Sequence, residues 1–364
     1  MILGLDVGAS NVKASLIDYE LKETGNTQVP AFASGDAYSA LADVRNELLK
    51  SGSRSLDAIA VTCSPFLQTT TYDKGLFEID KSIRRVFKRN LRKEAAILYL
   101  GRDARFRSLK EIARDLRYRY LNIVKYIDAN WLPLVHLVGT TRRVSDFVCA
   151  SFGTSSTSLI PVINGKVQVG LTENRLSSSK LVLMGKLYTP VVSFVDEIDF
   201  RGARIPWNPY DNQLTVGEVG FLSGSQCDAP WTATKRDVRF ATTKRISYAV
   251  GWDMKVVTKR EVRDICGQIL AKFRSRLIER VGTVIEQVPC RARTIYVCGG
   301  DNRFLVDMLS KSFDCVDTGL GNTATAYGTA VLYCRTMDGS DCGLFQGASK
   351  KSAGFASHPI SGLG

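Results

Sequence analysis

Histidine is almost missing from this chain of 364 residues: His136 and His358 are the whole supply. That removes a histidine-built metal centre from consideration. Paired cysteines are missing too. Nine occur, at 63, 149, 227, 266, 290, 298, 315, 334 and 342, all scattered with no C-x-x-C step, so zinc binding is not expected. Most sit in apolar runs, where a free thiol behaves as a small hydrophobe. Disulfides stay open, because intracellular bridges do occur in hyperthermophiles. No apolar run approaches about eighteen residues, so no membrane span is expected. Asp6 interrupts the first apolar stretch, and the start carries no charged segment of signal-peptide type. A cytoplasmic protein is the expectation. With 45% hydrophobic residues the chain can bury a sizeable core, expected as two domains.

The formal net charge is +13, and much of it falls between Lys81 and Arg119. One reading is a solvated helix face, with Ile83, Val86, Phe87 and Leu91 as its buried stripe. The other is a surface for nucleic acid or another polyanion. The charges keep helical spacing beside an apolar stripe, and the aromatics form no stacking platform. The solvated face is therefore preferred and nucleic acid is not an expected partner. Arg102 stands apart, because it follows the strand at 95–100, an end where α/β proteins bind ligands.

Three local patterns carry chemistry. Ile2-Leu3-Gly4-Leu5-Asp6-Val7-Gly8-Ala9-Ser10-Asn11-Val12-Lys13 reads as strand, tight turn, strand. Gly8 is expected at positive φ, and converging turn amides at Gly8, Ser10 and Asn11 would form an anion nest. Asp6 is placed to hold Mg²⁺, and Lys13 to reach a phosphate. The same design returns at Phe147–Val162, with Gly153, Thr154, Ser155 and Ser156 in the turn. Asn164-Gly165 then predicts a further two-residue hairpin. Finally, a buried strand ends in Gly299-Gly300-Asp301 before a helix, a common meeting point of backbone and nucleotide.

In this order the three patterns resemble the two-lobed phosphotransferase superfamily of actin, sugar kinases and Hsp70. That implies an α/β, actin-like (ribonuclease H-like) ATPase fold with a central cleft. Lobe I is expected from 1–145 and 318–335. Lobe II is expected from 146–317, with an irregular insertion at 199–234, and 340–364 as a flexible tail. Helices are expected at 37–50, 80–93, 108–118, 259–281, 302–312 and 323–335, and strands at 56–63 and 95–100.

A closer resemblance rests on further segments. One family carries an initial G-x-D-(I/V)-G-G-(A/S)-x-x-K, an A-A-N-W-x-A, a D-(I/V)-G-S-T-T-T-D hairpin, T-D-x-x-R-L, L-x-Y-x-G-x-x-x-T-P and R-M-x-G-x-D. Here these positions hold Gly4, Asp6, Gly8 and Lys13; Asp128-Ala129-Asn130-Trp131; Gly153–Thr157 with Pro161; Thr172 and Arg175-Leu176; Gly185 and Thr189-Pro190; and Val250-Gly251-Trp252-Asp253. Over about residues 1–335 the chain resembles the hydantoinase-A-like group of tetrahydromethanopterin-linked C1-transfer proteins. That group includes the methanofuran-biosynthesis synthase. The resemblance implies condensation of an activated diphosphate substrate with an amine or phenol, with Mg²⁺-assisted release of pyrophosphate. It implies a small phosphorylated substrate near Asn130 and Trp131, assisted by Arg102 or Arg175, and ATP as a second candidate ligand.

The chain departs from that pattern. Ser151 and Ser158 replace the two acids of the second hairpin, and Thr62–Leu67 lacks a glutamate. Leu132 follows Trp131 where histidine is common. Asp301 and Asp253 are the substitutes on offer, against plain roles as a helix cap and a surface turn. These losses motivate a second reading, a nucleotide-binding switch or binding protein without turnover. A third reading, an ordinary sugar or acyl kinase, finds less support, because this chain has no well-placed catalytic Asp after its middle.

Overall fold

The computed structural model describes residues 1–8, 10–31, 37–49, 55–64, 71–118, 120–208, 213–224, 235–300 and 302–339. The chain builds a first sheet from β1 (Ile2–Val7), β2 (Asn11–Ile17), β3 (Glu23–Pro30), β4 (Leu56–Cys63), β5 (Leu91–Leu100) and β6 (Phe106–Arg107). Its order is β3-β2-β1-β4-β5-β6, with β1, β4 and β5 parallel. α1 (Ala37–Leu48), α2 (Tyr72–Phe87) and α3 (Leu109–Tyr118) accompany this sheet, and α4 (Trp131–Arg142) leads away from it.

The second sheet repeats the opening hairpin. β7 (Phe147–Phe152) and β8 (Thr157–Ile163) are antiparallel, and β9 (Lys166–Val167) and β10 (Leu181–Val182) flank β8. After the small hairpin of β11 (Glu197–Phe200) and β12 (Ala203–Pro206) come α5 (Val216–Ser223), α6 (Lys235–Ala249) and α7 (Lys259–Glu286). β13 (Ile295–Cys298) then runs parallel to β7, α8 (Asn302–Leu309) follows, and β14 (Cys315–Asp317) pairs with β13. α9 (Ala324–Met337) closes the chain.

Local chemistry explains most of these elements. All six residues of β1 are buried, because helices cover both faces of a strand flanked by others, and its run is accordingly almost wholly apolar. α7 starts at a capping box: the Thr258 side chain accepts from the Glu261 amide and Glu261 returns to Thr258. Val262, Ile265, Ile269, Phe273 and Leu277 form its buried stripe, with Leu270 and Ile278 partly buried beside it. Asn164 and Gly165 both take positive φ between β8 and β9, as the two-residue turn requires.

Two expectations change here. The helix expected over 80–93 ends at Phe87, and Leu91 opens β5 by pairing with Leu56. Sheet pairing overrides the helical spacing of its charges. The region 199–234 is not wholly irregular: it contains the end of β11, β12 and α5, the last with its own capping box at Thr215 and Glu218. Residues 209–212, 225–234 and 340–364 lie outside the described residues.

The first sheet packs one core with α1 and α2, and the second packs another with α5–α8. A third cluster joins Trp131, Leu134 and Val138 of α4 to Phe147, Ile160 and Cys298 of the second sheet and to Leu332 of α9. α9 returns from the second sheet to lie on the first, where Ile2, Ile17 and Ala60 meet Ala330 and Val331. Gly4 permits this approach: a Cβ there would run into the Ala326 carbonyl.

Candidate functional site

The two repeated hairpins aim their turns at each other. In each, a glycine amide donates to the carbonyl three residues on: Gly8 to Asn11 at 3.0 Å and Gly153 to Ser156 at 2.9 Å. A Cβ on either glycine would come within 3.0 Å of that same carbonyl. Close approach is therefore what these glycines provide. The positive φ expected at Gly8 is not adopted, since the turn closes without it. Across the gap the hydroxyls of Ser10 and Ser155 stand 3.2 Å apart.

Around that meeting point lies a cavity of about 400 Å³. Asp6, Gly8, Ser10, Asn11 and Lys13 line it from the first hairpin. Gly153, Thr154, Ser155 and Ser156 line it from the second, and of the other expected residues Asn130, Gly299 and Gly300 line it too. Asp6 is buried at 2% exposure. Its carboxylate accepts from the Lys13 ammonium at 3.2 Å and from the Thr62 hydroxyl at 3.3 Å. Register explains the first contact, because Asp6 and Lys13 are direct partners in β1 and β2. Burial, then the charge of Asp6, pushes the neighbouring Cys63 thiol up to about 12.

A short segment braces the second turn from behind. The amides of Lys186, Leu187 and Tyr188 donate to the carbonyls of Gly153 and Thr154. A Cβ on Gly185 would sit 2.5 Å from backbone atoms of Ser155 and Ser156. Thr189 ties the loop by bonding both the amide and the carbonyl of Gly185. From this brace the Lys186 ammonium reaches the cavity and donates to the Gly300 carbonyl at 3.0 Å.

Three residues expected at the substrate stand behind the wall instead. Trp131 is 1% exposed, and its indole N–H is spent on the Asp128 carbonyl. Arg102 and Arg175 are buried, and both donate to one Oδ of Asp128. Arg175 also donates to the Ser158 hydroxyl at 3.1 Å, and its guanidinium lies over the Trp131 ring. Burial lowers the Arg102 pKa, and the Asp128 charge opposes that shift. Asp128 itself faces the cavity, held at φ +58 with its amide on the Cys63 carbonyl.

Asp253 is exposed in a surface turn, where it accepts the Lys255 amide, and is not part of the lining. Asp301 lies outside the described residues, as do Ala9 and residues 65–67. Ser151 and Ser158 are paired in β7 and β8 and both line the cavity. Sequence reasoning missed Lys186, Asn322, Thr325 and the carboxylate role of Asp128. The signal at Asp128 is a charged residue inside a largely apolar segment.

Magnesium suits what is here only in part-share form. Among the described residues no group of three or more His, Cys, Asp or Glu could hold a metal ion. One carboxylate, Asp6, already paired with Lys13, beside turn hydroxyls fits a cation that keeps several waters and shares phosphate oxygens.

No protein-family model matches the chain. A curated synthase from Methanocaldococcus jannaschii, whose furan-2-yl-methanamine product carries a γ-L-glutamylaminoethyl-phenoxymethyl group, is 22% identical over 320 residues. The match covers 85% of this chain and 89% of the synthase. Among solved structures, nucleotide-free acetone carboxylase superposes with a TM-score of 0.56 at 9% identity, covering 91% of this chain and 70% of that one. A ROK-family glucokinase from Streptomyces griseus gives a TM-score of 0.44 at 12% identity, covering 91% and 98%. With the repeated hairpin–parallel strand topology of its two sheets, the chain has the two-lobed, actin-like α/β fold.

Proposed function

We propose that this chain is an enzyme of phosphate or diphosphate chemistry that joins an activated diphosphate substrate to an amine or phenol and releases pyrophosphate. The observation that carries the reading is the pair of equivalent turns meeting at Ser10 and Ser155 over one cavity. Two convergent hydroxyls at facing turns, with Lys13 and Lys186 beside them, suit phosphate oxygens. The M. jannaschii synthase supports the reaction class, and the hydantoinase-A-like membership remains part of this proposal.

In this scheme the turns and the hydroxyls of Thr154, Ser155 and Ser156 hold the diphosphate. Lys13, and Lys186 from the brace, offset charge that grows on the leaving oxygen. Asp6 would hold Mg²⁺, which would supply further charge stabilisation there. A bond forms between the nucleophile and the carbon that carried the diphosphate. The carbon–oxygen bond to the diphosphate breaks, its electron pair leaves with pyrophosphate, and the nucleophile's proton passes to that anion.

A second reading is favoured by one observation. The second hairpin offers Ser151 and Ser158 in place of acids, and Asp128 is already held by two arginines. A nucleotide-binding switch without turnover needs no free base. Thermal shift with pyrophosphate, ATP, ADP and phosphate, each with and without Mg²⁺, separates the readings. A ligand at a hundred times its Kd adds about 2.7 kcal/mol. Stabilisation by pyrophosphate with Mg²⁺, lost in Asp6→Asn, is expected of the synthase. Stabilisation by ATP without turnover supports the switch. No shift with any of them sinks the phosphate reading.

A further inference from the structure

α6 turns two different faces inward and outward. Val238, Thr242, Ile246 and Ala249 are buried, and Ile246 and Ala249 belong to the core of the second sheet. The opposite side steps by four residues through Arg236, Phe240, Lys244 and Tyr248, all exposed, so the four stand in one stripe. Cation and ring alternate along it. Phe240 is 58% exposed and Tyr248 57% exposed. The core gains nothing from either ring, and a merely solvated helix face would carry polar side chains at both.

The stripe continues past the helix end. Gly251 takes φ +76, its amide donates to the Tyr248 carbonyl, and the Trp252 amide donates to the Ser247 carbonyl. This pair of bonds reverses the chain at the C-terminus of α6 and keeps Trp252 beside it. Arg201 then fixes that end. Its guanidinium lies 4.6 Å from the Trp252 ring centroid, and it donates to the Val256 carbonyl and to the Glu261 carboxylate. Trp252 and Val256 stay exposed. Large apolar side chains gathered in this way on a surface mark a contact site.

Charge decides what the contact is. Residues 236–264 hold eight Lys or Arg against four Asp or Glu, and Glu261 is already paired with Arg201. A second copy would meet this face with the same excess of positive charge, which opposes pairing. Single-stranded nucleic acid needs open ring faces for its bases, and here Lys244 lies over Tyr248 and Arg201 over Trp252. An anionic bilayer needs no open ring face. Aromatic and aliphatic side chains enter its headgroup layer, while lysine and arginine reach lipid phosphates on long stems.

We infer that the outer face of α6, with Trp252 and Val256, docks the protein on an anionic lipid surface. The protein lies on that surface, since among the described residues no helix is long and apolar enough to cross a membrane. The docking face and the phosphate cavity are independent of each other.

The test is co-sedimentation with vesicles of phosphatidylcholine, alone or mixed with phosphatidylglycerol. Polyuridylate binding and sedimentation equilibrium are the competing arms. The proteins are wild type, Phe240→Ser/Tyr248→Ser and Lys244→Glu/Lys255→Glu. All four positions are exposed, and both variants should keep the wild-type melting temperature. Wild type is expected to bind the phosphatidylglycerol vesicles about tenfold or more tightly than phosphatidylcholine alone, and less at high salt. Each variant should lose about tenfold or more of that binding. No preference for the anionic vesicles would overturn the docking face. Binding that neither variant weakens would overturn it too, since another basic surface would then carry it. Polyuridylate binding that the ring variant loses, without vesicle binding, would overturn it in favour of nucleic acid. A dimer that the ring variant dissolves, again without vesicle binding, would overturn it in favour of a second copy.

Discussion

Asp128 carries the heaviest electrostatic duty near the cavity. It is the shared acceptor of Arg102 and Arg175, all three buried. Replacing it by Asn keeps the shape and strands two guanidinium groups away from water. Asp128→Asn is expected to cost about 3–5 kcal/mol in urea unfolding. A loss under about 1 kcal/mol would mean that water already serves those arginines. His136 makes a different claim. Burial, then repulsion from Arg335, pulls its pKa down to about 4 from 6.5, and its Nε2 has no partner among the described residues. The unfolded chain binds a proton between those values that the folded chain refuses. Stability is therefore full above pH 6.5 and falls as pH drops toward 4, by about 3 kcal/mol in all. His136→Leu should flatten that slope in unfolding curves at pH 7 and pH 5. An unchanged slope would assign the acid sensitivity elsewhere. At this scale the sequence was readable where chemistry is local: Asp6 and Lys13 both line the cavity beside the first turn, as their places around it suggested. It was unreadable at Lys186, whose reach to Gly300 depends on a loop folded behind the second turn.

Elements are held by close backbone approaches. Gly185 lies against the second turn, so Gly185→Ala must push Ser155 and Ser156 toward the cavity. Pyrophosphate affinity should fall by tenfold or more in titration, a change of about 1.4 kcal/mol or greater. A substitution without effect would show that the brace does not set the turn. Gly267 offers the contrast, since nothing lies within 4 Å of a Cβ there. In the interior of α7, Gly267→Ala is expected to stabilise the protein by about 1 kcal/mol in urea unfolding. Element types followed from pattern wherever one periodicity dominated, as in α7 and the two hairpins. At Leu91 two patterns overlapped, and the pairing partner Leu56, 35 positions earlier, decided the outcome. Window-based reading has no access to such a partner.

The whole molecule brings together turns separated by 145 positions, Ser10 and Ser155. If they act as one anion site, Ser10→Ala and Ser155→Ala should be non-additive in pyrophosphate affinity by about 0.5–1.5 kcal/mol. Additive losses in that double-mutant cycle would mean two independent contacts. The excess charge of the chain is spread differently. Arg84 pairs with Asp80, Arg92 with Asp57 and Arg107 with Asp103, and Arg85 lies over Tyr38. Those pairings spend part of the basic segment on the protein's own surface.

By itself the sequence determined both glycine–hydroxyl turns and the Asn164-Gly165 hairpin, and the order of its motifs pointed by resemblance to the fold class. Each depends on alternation, turn chemistry or neighbours a few residues apart, and such forces act whatever the rest of the chain does. Only the tertiary structure decided that Trp131, Arg102 and Arg175 support the wall, and that Asp128 and Lys186 face the cavity. Those places follow from α9 crossing onto β1 and from β10 adding to the edge of β8. Long-range packing sets both, and no spacing along the chain encodes which side of a wall a side chain will take.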